Sequence, residues 1–111
     1  EQLKSKILRV ANLVVNFESQ RAFTHTGSVG HDIELTTKEF RLISYLSKHL
    51  DWVVSRETLL QELWGGSVHV SDRTIDTHIS NLRKKILDAG LEVLAVPNEG
   101  YRLVISPSKP I

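Results

Sequence analysis

Two hydrophobic periods divide this chain. From Ile7 to Leu35 the apolar positions come in short runs, ILRVANLVVNF, RAFTHT and HDIEL, separated by a polar break at Glu18 to Gln20 and a glycine-containing one at Gly27 to Gly30. Such runs predict strands, here four short antiparallel ones near residues 7–10, 13–17, 21–25 and 32–35. Leu13, Val14 and Val15 stand in a row, so alternation alone does not fix the register. At Thr36 the period lengthens. Thr36-Thr37-Lys38-Glu39 has the form of a capping box, and Phe40, Ile43, Leu46 and Leu50 follow at helical spacing, which predicts a first helix to about His49. Asp51 to Val54 make a short connector, after which Ser55 caps a second helix carrying Leu59, Leu60 and Leu63 and stopped at Gly65-Gly66.

The third helix is predicted over SDRTIDTHISNLRKKILD, Ser71 to Asp88. Ile75, Ile79, Leu82 and Ile86 recur at steps of four, three and four and so form one stripe that faces a core. Ser71 is a suitable N-cap, Asp72 and the cationic Arg83, Lys84 and Lys85 suit opposite ends of the helix dipole, and Gly90 ends the segment. After it, Leu91 to Val96 and Tyr101 to Ile105 read as a hairpin closed by a turn at Pro97 to Gly100, with a tail, SPSKPI, that is expected to fray. An N-terminal four-stranded antiparallel sheet, a three-helix core and a C-terminal β-hairpin describe an α+β winged helix-turn-helix, although the loop from Gly65 to Val70 is longer than in the tight helix-turn-helix.

Charge sharpens the picture at one place. The chain carries a formal net charge of only +1, yet Arg73 to Lys85 holds four Lys/Arg against Asp76. The face opposite the apolar stripe carries Arg73, Thr77, Ser80, Asn81 and Lys84, flanked by His78 and Arg83. A cationic, hydrogen-bonding helix of this kind suits the major groove; a merely solvated face is the competing reading of the helix by itself. At 111 residues and 41% hydrophobic content the chain suffices for one compact domain and not two. The absence of cysteine excludes disulfides and thiolate metal sites. His25, His31, His49 and His69 show no metal-ligand spacing, so no metal or cofactor is expected. No nucleophile elbow, HExxH or phosphate-cradling glycine loop occurs, which disfavours an enzyme. The apolar runs are too short to span a membrane and no signal peptide is visible, so a cytoplasmic protein with no small-molecule substrate is expected. Trp52 and Tyr45 are expected to pack in the core or at an interface.

The runs LTTKEFRLISYL, VSRETLLQELWG, VSDRTIDTHISNLRKKI and GYRL, in this order, resemble the C-terminal effector domain of the OmpR/PhoB family of response-regulator transcription factors, over nearly the whole chain. The resemblance implies sequence-specific binding of double-stranded promoter DNA, with the recognition helix at 72–88 and the wing at 91–105. It also implies a phosphoacceptor receiver domain upstream, a domain expected to be missing here because the chain opens EQLKSK without methionine. Carried over by position, Arg73, Thr74, His78, Arg56 and Trp64 fall where members touch phosphates. Arg83 and Lys85 at the cationic helix end, and Tyr101 and Arg102 at the base of the wing, complete the expected phosphate set. Thr77, Ser80, Asn81 and Lys84 are the expected base readers. The loop Gly65, Gly66, Ser67, Val68, His69, Val70 resembles a segment offered to RNA polymerase, or is only a connector. A homodimer on repeated half-sites is expected, since one module of this size has a limited interface.

The chain departs from the family pattern at two places. Ser80 and Asn81 stand where members often carry arginines; Asn81 is able to pair bidentately with adenine but lacks a guanidinium's long-range attraction. The wing tip, Pro97-Asn98-Glu99, has no cation and one acid, so phosphate repulsion is expected to lift or restrict it. These departures support the alternative of a winged-helix protein-interaction module with weak or no DNA binding.

Overall fold

The computed structural model describes residues 6–26, 29–65 and 72–106. Its first part is a meander of β1 (Ile7–Val10), β2 (Leu13–Asn16), β3 (Arg21–Thr26) and β4 (Val29–Asp32), paired antiparallel in sequence order. Val10, Leu13 and Thr24 lie abreast, as do Leu8, Val15 and Ala22, so one face of the sheet is apolar and turned to the core. The fourth strand does not lie at 32–35. It begins at Val29, opposite Thr26, and ends at Asp32 opposite Phe23. Gly30, read as part of a break, is a strand residue: a Cβ there would stand 3.0 Å from the His25 ring carbon Cε1, so the glycine leaves room for that imidazole. Ile33 and Leu35 still pack against the core, but from an irregular segment beyond the strand, in which Glu34 takes φ 49°.

Helix α1 (Thr37–Lys48) starts where its capping box predicts, with Thr36 accepting from the Glu39 amide and the Glu39 carboxylate accepting from the Thr36 amide. Helix α2 (Arg56–Trp64) is capped by Ser55 and ends at Gly65, which adopts the left-handed conformation. Helix α3 (Asp72–Lys85) follows. Its proposed N-cap Ser71 and the loop 66–70 lie outside the described residues, as does the tail from Pro107. The helix is shorter than expected at its C-terminus: after Lys85 the chain tightens into a 3-10 turn over Leu87–Ala89, in which the Ala89 amide donates to Ile86. That turn buries Ala89 and brings its carbonyl to the Asn12 amide at 2.9 Å, tying the third helix to the β1–β2 turn.

Strands β5 (Leu91–Val96) and β6 (Gly100–Ile105) form the hairpin, β6 starting one residue earlier than expected. Pro97 and Asn98, the latter with φ 66°, sit at the central positions of a turn in which the Glu99 amide donates to Val96, the arrangement that proline followed by a left-handed asparagine favours. The connector before α2 is more than a connector. Val54 and Tyr101 exchange two backbone hydrogen bonds, 2.8 and 2.9 Å, and Asp51 donates to Leu103, so the wing is sewn to the α1–α2 junction. Trp52 is not in the core but 64% exposed, edge-on to His49, which stacks on Tyr45.

Leu13 and Val15 of the sheet, Leu42, Ile43 and Leu46 of α1, Leu59 of α2, the stripe of α3 and Leu103 of the wing share one buried cluster. Glu39 locks the first and third helices together. Its carboxylate is 3% exposed and accepts from both Thr36 and Lys85 Nζ, the latter at 2.7 Å. Burial raises its pKa, but the bond from Lys85 and the cap outweigh this and leave it below the ordinary 4.5. A depressed carboxylate contributes stability above its unfolded pKa that is lost as pH falls through the folded one. Lys85→Ala therefore leaves a buried carboxylate with its cap alone, and is expected to cost about 1–3 kcal/mol at neutral pH. Urea titrations at neutral and acid pH check this: the deficit of the variant should shrink as the pH falls through the depressed folded pKa of Glu39 and the carboxylate takes up a proton.

Candidate nucleic-acid interface

The inner stripe of α3, Ile75, Ile79, Leu82 and Ile86, is buried almost completely, and this fixes what the helix offers outward. Arg73, Thr77, Ser80, Asn81, Arg83 and Lys84 are exposed, with Thr74, Asp76 and His78 half-buried beside them. Thr77 donates its hydroxyl proton to the Arg73 carbonyl one turn back, at 3.1 Å, so outward it offers its methyl group and oxygen lone pairs. Ser80, Asn81 and Lys84 lie along the same exposed strip.

The other expected residues divide by what already holds them. Lys85 is bonded to Glu39 and, at 3.2 Å, to the Glu34 carbonyl. Arg83 donates through Nε to the Val93 carbonyl at 3.0 Å, while its side chain stays exposed. Arg56, Asp76 and Tyr101 meet at one point: Asp76 Oδ1 accepts from Arg56 Nε at 2.8 Å and from the Tyr101 hydroxyl at 2.6 Å. The guanidinium carbons of Arg56 and Arg83 lie 5.2 and 5.8 Å from the centre of the Tyr101 ring, within cation–π range. The Tyr101 hydroxyl and then the Arg56 guanidinium hold the Asp76 carboxyl below the usual carboxylate range, against its burial. Burial first, and then that carboxylate, push the Tyr101 phenol up. Tyr101 is only 5% exposed, so it offers a ligand little surface. Arg102 lies on the outer face of the hairpin beside Leu94, with Nε enclosed and without a hydrogen-bond partner among the described residues. Pro97, Asn98 and Glu99 are exposed at the tip.

Of the remaining positions, the backbone of Trp64 closes α2 and Gly65 is its cap; Gly66, Ser67, Val68, His69 and Val70 lie outside the described residues. Asp76 is the site residue that the sequence reading missed: it entered only as one acid in a charge tally. Among the described residues no cluster of His, Asp and Glu is built to hold a metal, and no helix is long and apolar enough to cross a membrane.

A four-stranded sheet, three helices with a cationic third one turned outward, and a wing bonded to the α1–α2 junction define a winged helix of the type found in DNA-binding regulators. Residues 30–103 match the family described as transcriptional regulatory protein, C terminal. The DNA-binding domain of CpxR from E. coli is 39% identical, with 92% of this chain and 98% of that one covered and a TM-score of 0.76. The Klebsiella pneumoniae RstA DNA-binding domain, solved in complex with the RstA box, is 28% identical over 93% of this chain and 99% of that one, TM-score 0.73. DrrB, a Thermotoga maritima OmpR/PhoB homolog, is 27% identical over 89% of this chain but only 44% of its own, TM-score 0.75. The chain belongs to the family of C-terminal domains of transcriptional regulatory proteins, in its OmpR/PhoB response-regulator form.

Proposed function

We infer that this chain binds double-stranded DNA sequence-specifically, as the effector unit of a bacterial two-component-type transcription regulator, with α3 in the major groove. The observation that carries the reading is the division of α3: an apolar stripe wholly inside the protein and a cationic, hydrogen-bonding strip wholly outside it. Thr77, Ser80, Asn81 and Lys84 read base edges. Arg73, Thr74, His78, Arg83 and Arg56 engage phosphates, with Trp64 beside them. Lys85 and Tyr101 support this surface from behind, their polar groups being taken up by Glu39 and Asp76. Arg102 meets the backbone from the outer face of the wing. Binding as a homodimer on repeated half-sites, contact of the 65–70 loop with RNA polymerase, a receiver domain preceding this unit, a cytoplasmic setting and the lack of enzymatic activity all belong to the same reading. Selection of bound sequences from a random duplex pool tests it: a recovered motif in two copies at fixed spacing supports it, and recovery of no motif defeats it.

Two substitutions separate the roles. Arg73→Ala is expected to weaken binding to every duplex alike and to flatten the salt dependence by about one unit. Asn81→Ala is expected to cost about 1–3 kcal/mol, confined to one base position of the selected motif. An unchanged motif in a repeated selection with Asn81→Ala would remove it from the base-reading set. The exposed Trp52 and the acidic tip at Glu99 favour a second reading, a protein-interaction module on the same scaffold.

A further inference from the structure

A carboxylate on the DNA-facing side of a recognition helix repels phosphate, and Asp76 stands one turn from Arg73 on that helix. It is not idle there. One oxygen, Oδ1, accepts from Arg56 at the start of α2 and from Tyr101 near the tip turn of the wing, so the elements that make up the binding surface meet at one atom. Arg56 gives Asp76 its Nε proton, and the terminal amino groups of a guanidinium carry four further N–H donors. Its plane is set by the bond to Asp76 and by the Tyr101 ring 5.2 Å away. Tyr101 in turn is fixed by the backbone pair it makes with Val54 and by its hydroxyl.

We propose that Asp76 is the positioning residue of the DNA interface: it aims Arg56 and fixes the tip end of the wing against the recognition helix, and its charge lowers binding to DNA in general while sharpening the choice among sequences. The proposal rests on the DNA-binding reading above. Without the acid, Arg56 becomes an unrestrained cation that reaches phosphates in more than one register. Affinity for arbitrary duplex then rises, and affinity for the selected duplex rises less or falls. A residue that merely holds the fold would move both affinities together.

The test compares the wild-type chain with Asp76→Asn and Tyr101→Phe, measuring dissociation constants for the selected duplex and a scrambled one of equal length across a salt series, with thermal melts alongside. Asp76→Asn is expected to tighten scrambled binding, steepen its salt slope by about one unit, and lower the ratio of scrambled to selected dissociation constants about tenfold. Tyr101→Phe keeps the acid and the ring and removes one hydrogen bond; it is expected to lower the ratio about threefold with the scrambled slope unchanged. If Asp76→Asn is unfolded in the melts, the Tyr101→Phe result decides alone. A ratio unmoved in the folded variants, or equal movement of both affinities, overturns the proposal. A wild-type chain that binds neither duplex instead overturns the DNA-binding reading itself.

Discussion

Gly100→Ala is expected to destabilise the protein by about 3–5 kcal/mol and to lower Tm by roughly 15–25 °C. Gly100 opens β6 with φ 137°, a conformation essentially reserved for glycine, and a Cβ built on it would run into the Val54 carbonyl oxygen and stand 2.7 Å from the Ser55 Cα. Both obstacles are backbone. They cannot rotate aside as a side chain would, so either β6 leaves the α1–α2 junction and the two Val54–Tyr101 hydrogen bonds break, or the cap of α2 at Ser55 is displaced. Gly65→Ala is the matched control. It has φ 76°, also left-handed, but nothing within 4 Å of the added methyl group, and is expected to cost only about 1 kcal/mol. Urea denaturation of both variants separates backbone strain from collision. Near-equal losses would show that the close approach of the wing to Val54 is not what requires glycine at position 100.

That contact also shows where sequence reasoning stops. The helices were legible because their signals are local: Thr36 and Glu39 three residues apart, Ser55 before α2, and isoleucines and leucines spaced to bury one side of α3. The hairpin was legible from a proline and a glycine between two apolar runs. The bridge from Val54 to Tyr101 spans the second and third helices, involves one residue of each partner, and leaves no periodic trace. The fourth strand lies earlier than its apolar run predicts because Gly30 has the local signature of a breaker, whereas the ring of His25 on the neighbouring strand is what makes glycine suitable there. The helix end was overrun because Ile86 continues the apolar stripe whether the backbone is α-helical or turns more tightly, and the switch depends on Ala89 reaching Asn12 in the N-terminal sheet. Within the site, the exposed strip of α3 followed from spacing alone. The division of labour among the cations did not: whether an arginine faces solvent or a carboxylate is decided by elements far apart in sequence, as Lys85 and Glu39 or Arg56 and Asp76 illustrate.

Counting cations by their partners gives the second large effect, the response of DNA binding to salt. A tally of the third helix would enter Lys85 as a phosphate ligand, but its ammonium is bonded to a buried carboxylate and to the Glu34 carbonyl, and releasing it would leave Glu39 exposed to the full cost of burial. Arg56 brings Asp76 with it, so the pair adds little net charge even where the guanidinium edge touches a phosphate. Arg73, Arg83 and Lys84 remain exposed on α3, and Arg102 lies in the wing three residues from the acidic Glu99 of its tip. Roughly three to four phosphates are thereby neutralised per domain, giving a slope of about −3 in log affinity against log salt and a loss of about 40- to 150-fold between 50 and 200 mM. A slope near −5 would mean that Lys85 and Arg56 act as unencumbered cations and that their carboxylate partners give way on binding. A slope near zero, with binding retained, is what a surface adapted to protein would show, and it would favour the interaction-module reading, in which Trp52 and Glu99 and not the outer strip of α3 form the contact.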